Sequence, residues 1–179
     1  KIDAVGAKHG RTVDWRPFLM GAVFKVTGTQ PLVEVPLKGD YTRHDIERSA
    51  RALQVPFKVP PGFPFASVGA ARLSYWAKEQ DPQRGHDLMQ ALYRKAWAEG
   101  GDISHPGGVL EVAEAQGWDR AACEAAMNDP AVKDRLRQAV DEAMERKVFG
   151  SPYVIVDGEP FWGHDRLEAV DRWLETGGW

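Results

Sequence analysis

The stretch FGSPYVIVDGEPFWGHDR, Phe149 to Arg166, constrains the fold more than any other part of the chain. It has to carry the backbone from a helix exit through two short strands into another helix. Gly150 follows a long helical pattern and suits the left-handed conformation that closes a helix. Ser151-Pro152 stands directly before the apolar run Tyr153, Val154, Ile155, Val156, where proline opens a strand but does not sit inside a central one. Asp157-Gly158 supplies the positive φ angles of a type I′ turn, so Val156 to Glu159 reads as a two-residue hairpin. Gly163-His164-Asp165 then leads into a last helix, with Asp165 as the expected N-cap.

Periodicity organises the rest around this hairpin. Lys1 to His9 carries Ile2, Ala4 and Val5 on a weak helical stripe that Gly10 ends. Thr12 to Phe18 alternates, Val13 and Trp15 against Asp14 and Arg16, and predicts a strand that Pro17 interrupts. Met20 to Lys25 is a short apolar segment before the loop Val26 to Gly39. Asp40 or Thr42 is the expected cap of a helix bearing Ile46, Ala50 and Leu53, and Ser67 of one bearing Val68, Ala71 and Tyr75. The segment VPFKVPPGFP, Val55 to Pro64, is too rich in Pro and Gly to be regular. Asp81-Pro82, His105-Pro106 and Asp129-Pro130 are three helix starts of the same kind, and Asp119 caps another. Leu88, Met89, Leu92, Tyr93, Ala96 and Trp97 form an apolar stripe of the type that faces a core. A helix and strand at one end, a hairpin and helix at the other, and helices between them describe a split α/β domain. Its expected parts are residues 1–39, a helical insertion over 40–147, and residues 148–179.

Composition narrows the function. With 179 residues the chain is long enough for a sizeable core, and a net charge of −3 with pI near 6.0 argues against nucleic acid or an anionic membrane surface as partner. A single cysteine, Cys123, excludes an intrachain disulfide and a CxxC redox pair within these residues, and suits a reducing, cytoplasmic setting. Cys123 shares a stripe with Met127 and reads as a small buried hydrophobe. His9, His44, His86, His105 and His164 lack ligand spacing, so no metal is expected. Along Asp129 to Lys147 opposite charges alternate as on a solvated helix face. The chain begins with Lys1 inside a helical pattern, and an upstream segment is therefore expected.

Three places offer chemistry. Lys25 closes its apolar segment, either laying its stem over apolar surface or presenting an ammonium to a carboxylate. Phe57, Phe63 and Phe65 either wall an aromatic-substrate pocket or anchor their loop to the core. A cis bond at Ser151-Pro152 would turn the Ser151 backbone outward, where an extended peptide could pair with it as an added strand. The helix start after Gly163 would meet a carboxylate, and Asp165 an α-ammonium, so the two together suit a small zwitterionic peptide. A purely structural hairpin reads equally well from the residues alone.

Resemblance goes further than these patterns. FGSPYVIVDGEPFWGHDRLEAVDRWL is similar to the C-terminal motif of 2-hydroxychromene-2-carboxylate isomerases, which stand with kappa-class glutathione transferases in the DsbA-like branch of the thioredoxin fold. WRPFLMGAVFKVTG at Trp15 to Gly28, VPF at Val55 to Phe57 and AWAEGGDIS at Ala96 to Ser104 extend the resemblance over essentially the whole chain. It implies a thioredoxin-like domain interrupted by an all-helical insertion, with the family's first strand, and a serine that stabilises the glutathione thiolate, expected upstream of Lys1. It also implies glutathione as cofactor. The cysteinyl portion would lie against Ser151 and Pro152, where valine is commoner than Ser151. The γ-glutamyl end would lie at Trp162, Gly163, His164 and Asp165, while Lys25 and Phe63 would contact an aromatic substrate.

The activity implied is glutathione-dependent cis-trans isomerisation of 2-hydroxychromene-2-carboxylate or a related intermediate of aromatic-compound catabolism. A kappa-type glutathione transferase or peroxidase shares every one of these residues. A DsbA-like thiol oxidoreductase would require a CxxC upstream, and a non-catalytic peptide-binding module would use only the proline groove. The resemblance is compatible with a homodimer.

Overall fold

The computed structural model describes residues 1–179 as helices α1 (Ile2–Lys8), α2 (Met20–Thr27), α3 (Lys38–Ala52), α4 (Val68–Gln80), α5 (Pro82–Tyr93), α6 (Pro106–Ala115), α7 (Arg120–Asn128), α8 (Pro130–Glu145) and α9 (Leu167–Thr176). Strands β1 (Tyr153–Val156) and β2 (Glu159–Trp162) lie between α8 and α9. The contacts divide the chain into two compact units, residues 1–16 with 142–179, and residues 17–141. No helix is long and apolar enough to cross a membrane.

In the first unit β1 and β2 pair antiparallel, Tyr153 opposite Trp162 and Val156 opposite Glu159. The turn is the one the Asp-Gly pair predicts, with φ of 51° at Asp157 and 96° at Gly158. Val156, Phe161 and Val170 form the buried centre, and Ile2, Val5, Trp173 and Leu174 close over it. The Asp171 carboxylate ties α9 to the end of α1, accepting from Lys8 Nζ at 2.8 Å and lying 2.6 Å from His9 Nε2.

The expected strand over Thr12 to Phe18 is not formed. Its alternation survives as burial, since Val13 and Trp15 are half-buried while Thr12, Asp14 and Arg16 are exposed. Trp15 Nε1 donates to Asp3 Oδ1 at 2.9 Å, which lays the segment along α1. What is missing is a ladder: a strand needs a neighbour's backbone groups, and the sheet contains only β1 and β2.

The second unit is helical and dense. Leu73, Leu88, Val109 and Cys123 are fully buried at its centre, with Leu92, Leu110 and Met127 around them. Each buried leucine, valine or methionine among them contributes roughly 1.5–3 kcal/mol over an exposed position. The predicted caps hold: Asp81 Oδ1 accepts from the amides of Gln83 and Arg84, His105 Nδ1 from Gly108 and Asp119 Oδ1 from Ala122. Asp129 Oδ1 likewise accepts from Ala131 at 2.7 Å. At Arg94–Ala98 the backbone widens into a π-helical turn that continues α5 and carries Trp97.

Other boundaries differ from expectation. Met20 to Lys25 is helical, as most of α2, which Gly28 closes at φ 67°. Neither Asp40 nor Thr42 caps α3, because the helix starts earlier, at Lys38, and Thr42 Oγ1 instead donates back to the Lys38 carbonyl at 2.7 Å. Ser67 occupies the N-cap position of α4 without a side-chain bond. Gly150 does not close α8, which ends at Glu145, with Lys147 taking the positive φ of 58°.

Candidate functional site

The hairpin gathers Ser151, Pro152, Trp162, Gly163, His164 and Asp165 on the first unit. The Ser151-Pro152 bond is cis, and the Gly163 amide donates to the Pro152 carbonyl at 3.0 Å. That bond extends the pairing beyond the Tyr153–Trp162 register and holds the proline turn against the turn that follows β2. Ser151 is exposed, and its amide and carbonyl lie outside the ladder. In the two-stranded sheet β1 pairs with β2 alone.

Two glycines shape this surface. Gly150 is buried, and a Cβ there would collide with the Trp162 indole, nearest its Nε1. Trp162 therefore lies across Gly150, edge-on to Phe149 with ring centroids 4.8 Å apart, while Phe149 meets Tyr153 at 5.4 Å. Phe149 is 47% and Trp162 54% exposed, so the pair forms an aromatic ledge rather than a core. Gly163 adopts φ 109°, outside the range of ordinary side chains, and a Cβ there would strike Asp165 Oδ1.

Asp165 is not the N-cap. His164–Arg166 forms a short 3₁₀ turn before α9, whose cap position is Arg166 without a side-chain bond. Asp165 folds back over Gly163 and pairs with Arg166 Nη1 at 2.9 Å. A carboxylate and a guanidinium thus stand side by side at the surface. Arg166 lies inside the hairpin stretch yet was not singled out from sequence, because a lone basic residue in a turn has no spacing signal.

Lys25 and Phe63 belong to the second unit. Lys25 lies in the last turn of α2 and is exposed, where a cation favours the helix C-terminus. Phe63 is half-buried and meets Trp97 edge-on at 5.1 Å; Phe57 and Phe65 stack on the same indole at 6.0 and 6.3 Å. The three phenylalanines thereby anchor the proline-rich loop to the helical core, one of the two roles their sequence allows. Burial pushes the Cys123 thiol up, with Asp119 and Glu114 adding to the shift, so this cysteine stays protonated and unreactive.

Sequence and fold both relate this chain to known proteins. The chain is 28% identical to rat (Rattus norvegicus) glutathione S-transferase kappa 1 over 176 residues, 89% of this chain and 78% of that protein. It is 32% identical to the 2-hydroxychromene-2-carboxylate isomerase of Sphingobium xenophagum over 130 residues, 73% of this chain and 65% of that protein. A solved 2-hydroxychromene-2-carboxylate isomerase superposes with a TM-score of 0.85 at 24% identity, covering 97% of this chain and 85% of that one, a likeness in fold. Residues 1–175 match the family described as DSBA-like thioredoxin domain, and the chain belongs to that family.

Proposed function

We propose that this protein is a glutathione-dependent isomerase acting on 2-hydroxychromene-2-carboxylate or a related unsaturated aromatic acid. The observation that carries the reading is the Gly163 amide bonded to the Pro152 carbonyl, which brings the exposed Ser151 and a charged turn onto one hairpin. That pairing fits glutathione. The amide and carbonyl of Ser151 suit antiparallel pairing with its cysteinyl unit. Asp165 and Arg166 suit the ammonium and carboxylate of its γ-glutamyl end, since each charge meets its complement.

Bound glutathione would supply a thiolate that adds to the conjugated carbon, allowing rotation before elimination restores the double bond. The chain's own residues position and neutralise. Gly163 lets Asp165 approach the backbone closely, and the exposed Trp162 face shields one side of the ligand from water. Lys25 is assigned to the substrate carboxylate and to developing enolate charge, and Phe63 to the aromatic ring. The relatives named as kappa transferases keep transfer of glutathione to an electrophile as the second reading.

Calorimetric titration with glutathione and an isomerase assay with and without the thiol test the reading together. Binding should be saturable, and Asp165→Asn should weaken it about tenfold, the loss of one charge-assisted contact. No binding at millimolar glutathione would remove the cofactor assignment. Binding with conjugation but no isomerisation would favour the transferase.

A further inference from the structure

Ser151 carries a hydroxyl that the rest of the chain does not use. The residues on either side of it are fixed. Gly150 is buried against the Trp162 indole, and the Pro152 carbonyl accepts from the Gly163 amide at 3.0 Å. Between these two anchors Ser151 is exposed, with its amide and carbonyl outside the ladder. A serine in a turn ordinarily caps a helix or bonds a neighbouring backbone group, and the Ser151 hydroxyl does neither. It is a free donor at a fixed place, with the half-exposed Trp162 ring packed on the adjoining Gly150.

Pairing geometry decides what this donor would meet. In the glutathione reading above, on which the inference rests, the Ser151 amide and carbonyl both pair with the cysteinyl unit. Two residues that exchange both backbone bonds lie directly opposite each other, with Cα atoms about 5.5 Å apart. Their side chains leave the same side of the ladder, with Cβ atoms about 4.5–5.5 Å apart. A hydroxyl and a thiol, each one bond beyond Cβ, close that gap to hydrogen-bond reach. Alanine or valine at position 151 would keep the backbone pairing and lose the donor, whereas threonine would keep both.

We infer that the Ser151 hydroxyl donates a hydrogen bond to the sulfur of bound glutathione and stabilises its thiolate. Ser151 is then a catalytic residue, since it touches the reacting atom. The thiol S–H bond breaks and its proton leaves to solvent, while the hydroxyl keeps its own hydrogen and turns it toward the anion. A hydrogen bond to an ion is stronger than one to a neutral group, and a donor already in place favours the charge as it forms, so the bound thiol should ionise at lower pH.

The test compares the wild-type chain with Ser151→Ala, Ser151→Val and Ser151→Thr. The ultraviolet absorbance of the thiolate of bound glutathione is followed across pH. Calorimetry is run with glutathione and with S-methylglutathione, which offers the same backbone but has no thiol to ionise. The alanine and valine variants should raise the titration midpoint by about one pH unit, which is about a tenfold loss of thiolate at any pH well below it. Their affinity for S-methylglutathione should fall by at most about twofold, and the threonine variant should titrate as wild type does. Equal midpoints in all four proteins, or a threonine variant that titrates like alanine, would overturn the inference and leave glutathione binding standing. An S-methylglutathione affinity that fell tenfold would assign Ser151 to backbone placement and overturn it as well. Failure of the wild-type chain to bind either peptide would remove the glutathione reading and this inference together.

Discussion

The helical unit and the hairpin unit use the same residue types to opposite ends. In residues 17–141 aromatic and aliphatic side chains close on one another, with Leu73, Leu88 and Val109 wholly buried and three phenylalanines packed on Trp97. In the hairpin unit only Val156, Phe161 and Val170 form the buried centre, while Phe149 and Trp162 stand about half exposed beside the two-stranded sheet. Local stability follows buried apolar contact, and binding surfaces are drawn from where such contact is thin. The difference teaches where to look for stability and where for chemistry.

Substitutions sharpen that contrast. Leu88→Ala should be the costliest, about 2–5 kcal/mol in denaturant unfolding, because a wholly buried side chain leaves a cavity among α4, α5 and α6. A cost below about 1 kcal/mol would mean that the helical unit repacks freely, and the contrast would fail. Gly150→Ala should cost about 1–3 kcal/mol by forcing the Trp162 indole aside, and should also weaken glutathione binding. Near-normal affinity with the tryptophan displaced would detach the aromatic ledge from the ligand site. Asp81→Ala should cost about 0.5–2 kcal/mol, since two amides of α5 lose their acceptor, whereas Ser67→Ala should cost less because no side-chain bond exists to lose.

The smallest effect is the pH dependence of the link between α1 and α9. The hydrogen bond from Lys8, and then that from His9, holds the Asp171 carboxyl below its ordinary value of 3.8, and the same bond raises Lys8 above 10.5. A depressed carboxyl stabilises the fold above its unfolded value and loses that contribution as pH falls through the folded one. A raised lysine does the reverse, losing its contribution as pH rises past 10.5. The difference in unfolding midpoint between wild type and Asp171→Asn should therefore be present at neutral pH, fade below about pH 4, and shrink with added salt because the pair is exposed. A difference that persisted in acid would assign the effect to packing.

Much of the helical unit was legible because its signals are local. Asp81-Pro82, His105-Pro106, Asp119 and Asp129-Pro130 start helices where their capping atoms predict, and Leu88, Leu92, Ala96 and Trp97 of the expected stripe face the core, whereas Tyr93 at its edge is exposed. The hairpin turn was legible for the same reason, since Asp157-Gly158 carries its own φ preference. Thr12 to Phe18 was misread because alternation specifies which face is buried and not whether a neighbouring strand exists to pair with. Asp165 was misread because a cap and a fold-back over Gly163 look alike until the backbone places the carboxylate.

By itself, then, the sequence determined most of the helices, the caps at Asp81, His105, Asp119 and Asp129, the type of the hairpin turn and, through its motifs, the DSBA-like family. Only the tertiary structure decided that the Gly163 amide meets the Pro152 carbonyl, that Trp162 lies over Gly150 and that Asp165 turns to Arg166. The reason is physical. Turn and capping preferences act over three or four residues, whereas these contacts join atoms ten or more residues apart, or side chains whose direction depends on a neighbour's bulk.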